Sequence, residues 1–131
     1  MSYKDINYKD MSINYKDMNW DICETNTWSI AACIAPLIKN KFRYILRGRW
    51  EYLDGTEWKQ DKSKRYIKQF IQTDVIQIIM NRVLHWQKEG GDDVFLRENV
   101  VTRLLTLSNM LYRDQTVSEV ISCLREFSEA S

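Results

Sequence analysis

Proline occurs once and glycine four times in 131 residues, and that scarcity sets the first limit on the fold. A sandwich or barrel of many short strands needs turn residues every ~8–12 positions, so long helices are expected instead. Histidine is equally rare. His85 stands alone, with no His-x-x-x-His, Cys-x-x-Cys or His-Glu pair in the chain. Metal binding and general acid–base chemistry need partners at fixed spacing, so no catalytic residue, metal ligand or cofactor is assigned. Gly-x-Ser-x-Gly and Gly-x-x-x-x-Gly-Lys are missing too, which removes the nucleophile elbow and the phosphate loop. The expectation is a protein that is not an enzyme.

No apolar run approaches the ~20 residues that span a bilayer, and the N-terminus lacks a basic-then-apolar signal pattern. Cys23, Cys33 and Cys123 are odd in number and far apart, as expected of reduced thiols in a cytoplasmic protein. At this length one domain suffices, and folding can bury roughly two-thirds of the unfolded chain's surface.

What the chain does have is positive charge interleaved with aromatic rings. From Lys39 to Lys68 there are ten Lys and Arg against four acids, a balance of +6, although the whole chain sums to +1. Residues 89–131 carry eight acids against four Arg. These two poles either cancel within one molecule or support head-to-tail self-association, so a homo-oligomer is compatible with the sequence.

The first 22 residues repeat a short unit: Ser2-Tyr3-Lys4-Asp5-Ile6, Asn7-Tyr8-Lys9-Asp10-Met11 and Asn14-Tyr15-Lys16-Asp17-Met18, with Asn19-Trp20-Asp21-Ile22 as a fourth copy lacking Lys. The spacing of its aromatic and apolar positions fits neither helix nor strand. It reads as an extended arm over 1–22 that lays tyrosine rings on its own core or on a partner. Residues 23–131 then form a single helical domain.

From Thr27, a plausible N-cap, Ile30, Cys33, Ile34, Leu37, Ile38, Phe42 and Ile45 form one helical stripe, kinked or restarted at Pro36. Asp54-Gly55 between aromatic stretches signals a hairpin or tight loop over Arg49–Lys59. Lys62–Lys88 is the most regular helix, stopped by Gly90-Gly91. A third helix runs from Asp92 or Asp93 to Tyr112, with Val94, Val101, Leu104, Leu105 and Leu111 inward. Thr116-Val117-Ser118-Glu119 matches a capping box for the last helix. The expected fold is all-α: a bundle of about four helices with an extended arm and room for one short β-hairpin.

On a continuous helix, Lys39, Arg43 and Arg47 would form one charged row. That row with Arg49, Trp50, Tyr52 and Trp58, and with Tyr3, Tyr8 and Tyr15 of the arm, is the candidate binding surface. Arg and aromatic side chains anchor protein interfaces, so an acidic protein surface is the first expected partner. RNA or single-stranded DNA, bound by phosphate neutralisation and base stacking on the same residues, is the alternative. Reading the last two helices as helix-turn-helix fails on charge, because the second would present Glu119, Glu126 and Glu129 to phosphates.

The segment Trp28-Ser29-Ile30-Ala31-Ala32-Cys33-Ile34-Ala35-Pro36-Leu37-Ile38-Lys39, followed by Phe42, Gly48, Trp58 and the apolar stretch Ile71–Met80, resembles a pattern in small uncharacterised proteins of tailed bacteriophages. The resemblance covers 28–80. It implies a phage-encoded accessory factor acting on a host or defence complex.

Overall fold

The computed structural model describes residues 18–129; Tyr3, Tyr8 and Tyr15 of the repeat lie outside them. A 3-10 turn, Met18–Ile22, precedes α1 (Thr27–Ile38), strands β1 (Phe42–Leu46), β2 (Arg49–Asp54) and β3 (Glu57–Gln60), and then a short 3-10 turn, Lys62–Lys64. Next come α2 (Arg65–Phe70), a π turn (Ile71–Val75) and α3 (Ile76–Glu89), followed by α4 (Val94–Leu111) and α5 (Asp114–Glu129). The result is a helical bundle joined to a three-stranded antiparallel sheet in the order β1-β2-β3. It is therefore mixed and not purely all-α.

The sheet replaces the expected continuation of the first helix. α1 passes through Pro36 and ends at Ile38, so Lys39, Arg43 and Arg47 do not form a helical row. Its cap is Asn26, one residue before the expected Thr27, with Oδ1 accepting the Ser29 N–H at 2.8 Å. The chain then turns, the Lys41 N–H donating to the Ile38 carbonyl, and runs out as β1. Arg47 and Gly48 connect β1 to β2 with φ of 52° and 75°. Two positive φ values in a two-residue loop are what a type I′ hairpin requires, matching the right-handed twist of the strands. The Gly48 N–H donates to the Tyr44 hydroxyl at 2.8 Å and fixes the tip. β2 and β3 form the hairpin that Asp54-Gly55 signalled, with Asp54 opposite Glu57.

The expected Lys62–Lys88 helix begins later, at Arg65, because Ser63 and Lys64 both adopt left-handed backbone (φ 60° and 58°). Asp61 holds that bend. Only 3% exposed, it accepts the Tyr66 and Ile67 N–H groups at 2.9 Å each, while its own N–H donates to the Trp50 carbonyl. Farther on, the Thr73 hydroxyl donates to the Gln69 carbonyl at 2.7 Å inside the π turn. This side chain competes with the backbone for the carbonyl four residues earlier. The extra residue re-phases the stripe so that Ile71, Val75, Ile76 and Ile79 are all buried.

α3 packs on α4, and α1 on α5. Asp93 caps α4 as expected, accepting the Leu96 N–H at 3.0 Å. Val94 and Leu105, expected inside, are exposed, while Leu104, Leu107 and Leu111 are fully buried. α5 starts at Asp114, so Thr116–Glu119 lies within its first turns and does not cap it.

The end of the repeat belongs to the core. Trp20 is fully buried, and Asp21 receives a bidentate pair from Arg82 of α3: Nε to Oδ1 at 3.0 Å and Nη2 to Oδ2 at 2.6 Å. Arg103 of α4 donates to the Asp21 carbonyl. Among the described helices, none is long and apolar enough to cross a membrane.

Candidate functional site

Strand register sorts the basic segment into two faces. Phe42, Tyr44, Trp50 and Tyr52 point to the helices, where Phe42 meets Phe70 at 5.7 Å between ring centroids and Tyr52 meets Tyr66 at 4.2 Å. Alternation puts Arg43, Glu51, Leu53 and Trp58 on the opposite face. There the Arg43 guanidinium lies 4.3 Å from the centre of the Trp58 ring and pairs with Glu51 at 2.7 Å. The ring face attracts the cation, and the carboxylate fixes its direction.

Trp50, expected to be a contact residue, is 2% exposed and lies in the hydrophobic core. Tyr52 packs partly against the same core. Arg47 and Arg49 stay exposed on the β1–β2 hairpin, away from the helices. Lys39 and Arg43 both reach one concavity through tertiary structure, but the Arg43 guanidinium is directed to the other face of the sheet, onto Trp58 and Glu51. The two basic residues border a cavity of about 410 Å³ between the end of α1, the start of β1 and the end of α5. Its walls are apolar: Ala35, Pro36, Ile38, Phe42, Leu124 and Phe127. Pro36 has no N–H to give the Ala32 carbonyl, which is thus deprived of its usual helical donor at the cavity wall. Phe127 also stacks on Trp28 at 4.8 Å, and Trp28 is 54% exposed.

An apolar concavity with a few convergent polar groups is the usual form of a binding site. Here the polar side chains are Lys39, a cation, and Ser128, a neutral hydroxyl. Lys39 has no ion-pair partner among the described residues. The arrangement suits an apolar group flanked by a carboxylate. Periodicity could not reveal it, since Leu124, Phe127 and Ser128 are more than eighty residues from Lys39.

A second concavity of about 600 Å³ is lined by Tyr52, Lys59, Gln60, Lys62, Ser63, Arg65 and Tyr66. Arg65 lies 5.8 Å from the Tyr66 ring centre, and Lys59 reaches Asp54 at 2.7 Å. This cluster combines basic side chains from the strand, the turn and the first helical residue after it.

Two further groups carry perturbed titration. Burial, then the neighbouring Arg82, lowers the pKa of His85, which lies 3.5 Å from Glu89. Cys33 and Cys23 form a thiol pair. The neighbouring Cys23 thiol draws Cys33 below the ordinary thiol value, whereas the Cys33 contact and burial raise Cys23. The Cys33 thiol donates to the Asn19 carbonyl and the Cys23 thiol to the Glu24 carbonyl. Thiolate is the reactive form, so iodoacetamide at neutral pH is expected to label Cys33 before Cys23. Burial adds to this order, since Cys23 is only 4% exposed. Peptide mass mapping of a time course measures the two rates, and equal rates would contradict the pairing. Among the described residues no group of three or more His, Cys, Asp or Glu is placed to hold a metal ion.

No protein-family model, curated protein or solved structure matches this chain.

Proposed function

We propose that this protein is a non-enzymatic binding module for an acidic segment of another protein. The segment seats one large apolar side chain in the 410 Å³ cavity and places a neighbouring carboxylate on Lys39. One observation carries this reading: an apolar cavity whose rim bears the Lys39 ammonium and whose lining contains no acid. Burial of the anchor supplies affinity, at about 25 cal/mol per Å² of apolar area before the costs of association. The cation supplies orientation and speeds encounter. The resemblance of residues 28–80 to phage proteins makes a host complex the natural source of the partner.

The test is selection of peptides from a random library on the intact protein, followed by affinity measurement through Trp28 fluorescence. Selected peptides should pair an aromatic or branched apolar residue with Asp or Glu within one helical turn. Lys39→Glu should weaken them by roughly tenfold, about 1.4 kcal/mol for the lost charge contact. Ala35→Trp, which fills the cavity, should weaken them without changing charge. Selection without acidic enrichment, or affinity indifferent to both changes, would refute the reading. Preferential binding of single-stranded oligonucleotides with a steep salt dependence would favour the nucleic-acid alternative.

A further inference from the structure

The concavity around Tyr52 and Tyr66 lies apart from the cavity at Lys39 and shares no lining residue with it. Its lining is unusual in what it offers. Lys59, Lys62 and Arg65 are donors only, Tyr52, Tyr66, Gln60 and Ser63 can all donate, and no carboxylate lines the space. Asp54 reaches Lys59 from outside that wall. The one acid within the connecting turn, Asp61, is turned inward and occupied by the Tyr66 and Ile67 N–H groups. Lys62 and Arg65 therefore face the concavity with no anionic partner among the described residues.

The turn that brings them there is built at a cost. Ser63 and Lys64 are consecutive non-glycine residues in left-handed backbone, a conformation that crowds the Cβ of each against the following carbonyl. Such conformations persist only where surrounding contacts over-determine them, and they gather at ligand sites. Here the contacts are Asp61's two amide bonds, its N–H to the Trp50 carbonyl and the Lys64 N–H to the Asp61 carbonyl. Lys62 and Arg65, held around one space beside the Asp54-paired Lys59, repel each other, and a multivalent anion removes that repulsion.

We infer that this concavity is a binding site for the phosphates of a small molecule carrying two or more of them, such as pyrophosphate or a nucleoside triphosphate. Lys59, Lys62 and Arg65 supply charge, with Arg65 able to grip two oxygens at once. The Ser63 and Tyr66 hydroxyls supply neutral donors. The volume admits a diphosphate with an attached sugar.

Isothermal titration of the full chain with pyrophosphate, with ATP and with sulfate tests this. Pyrophosphate and ATP should both bind, at least tenfold more tightly than sulfate. Lys62→Glu with Arg65→Glu should weaken both by at least roughly tenfold, as expected for loss of charged hydrogen bonds. Lys88→Glu, an exposed charge reversal elsewhere, should leave them within twofold, and circular dichroism should report all variants folded. Equal affinities for pyrophosphate and ATP would assign the phosphates alone; tighter ATP would add a contact to the nucleoside, and either result supports the site. No heat at millimolar pyrophosphate, equal sulfate affinity, or indifference to the Lys62/Arg65 reversal would overturn it. So would preference for a single-stranded oligonucleotide over pyrophosphate at equal phosphate concentration. Because Lys39 and Arg43 are untouched, failure here leaves peptide binding unaffected.

Discussion

Asp21→Ala should cost about 3–5 kcal/mol of folding stability, because it leaves the Arg82 guanidinium charged and buried without its carboxylate. Asp21 and Arg82 are 8% and 4% exposed, and their two hydrogen bonds at 3.0 and 2.6 Å occupy both carboxylate oxygens. For a domain with a total stability of about 5–15 kcal/mol, that is a large share. Urea melts followed by circular dichroism would measure it, and the midpoint of thermal unfolding should fall by on the order of 10 °C or more. The double variant Asp21→Val/Arg82→Met should recover at least half of the loss, since replacing both ions with apolar groups removes the desolvation penalty along with the attraction. A single-variant loss below about 1 kcal/mol would mean that the pair is screened as a surface bridge is. It would also mean that Trp20 and the Arg103 hydrogen bond to the Asp21 carbonyl suffice to fasten the N-terminal 3-10 turn to the bundle.

That pair shows where sequence reasoning stops. Asp21 and Arg82 are 61 residues apart, and in the repeat Asp21 looks equivalent to Asp5, Asp10 and Asp17. Nothing local marks it as a buried residue. The helices, by contrast, are largely legible from period: Ile30, Ile34 and Ile38 on α1 and Leu104 and Leu111 on α4 line the core as their spacing requires, although Val94 and Leu105 do not. β1 was missed because Phe42 and Ile45 continue the helical stripe of α1 in phase. Its own alternation is broken by the register shift between Tyr44 and Leu46. The left-handed Arg47 was hidden as well, since Asn or Gly, and not Arg, usually marks that position.

The binding surface was legible in composition and not in geometry. Lys39 and Arg43 both reach one cavity because a chain turn and the end of α5 bring them there, not because they are four residues apart on a helix. Trp50 was drawn into the surface set by its basic neighbours, yet strand alternation turns it inward to meet the Tyr44 ring at 5.5 Å. Trp58, eight residues later, stays outward under Arg43. Once a segment is known to be extended, alternation alone separates these two indoles.

Asp61→Ala should lower stability by about 1–3 kcal/mol, the cost of leaving the buried Ile67 N–H and the part-buried Tyr66 N–H at the start of α2 without their acceptor. Asp61→Asn keeps one oxygen and should lose about half as much, because its NH₂ group would face the remaining donor. The same carboxylate holds Ser63 and Lys64 in left-handed backbone, so the Ala variant releases the turn that sets Lys62 and Arg65 beside Lys59. Pyrophosphate affinity should therefore fall in Asp61→Ala although no cation has been removed. A purely electrostatic basin would predict the opposite, since deleting a negative charge raises the local potential. Ser63→Gly separates strain from position: glycine adopts that φ freely, and the variant should gain about 1 kcal/mol. All three cations remain in place in that variant. Urea melts together with pyrophosphate titrations of the three variants decide the matter. Higher affinity in Asp61→Ala would show that charge alone governs the basin, and unchanged stability would show that the Lys62–Lys64 bend is held by something other than Asp61.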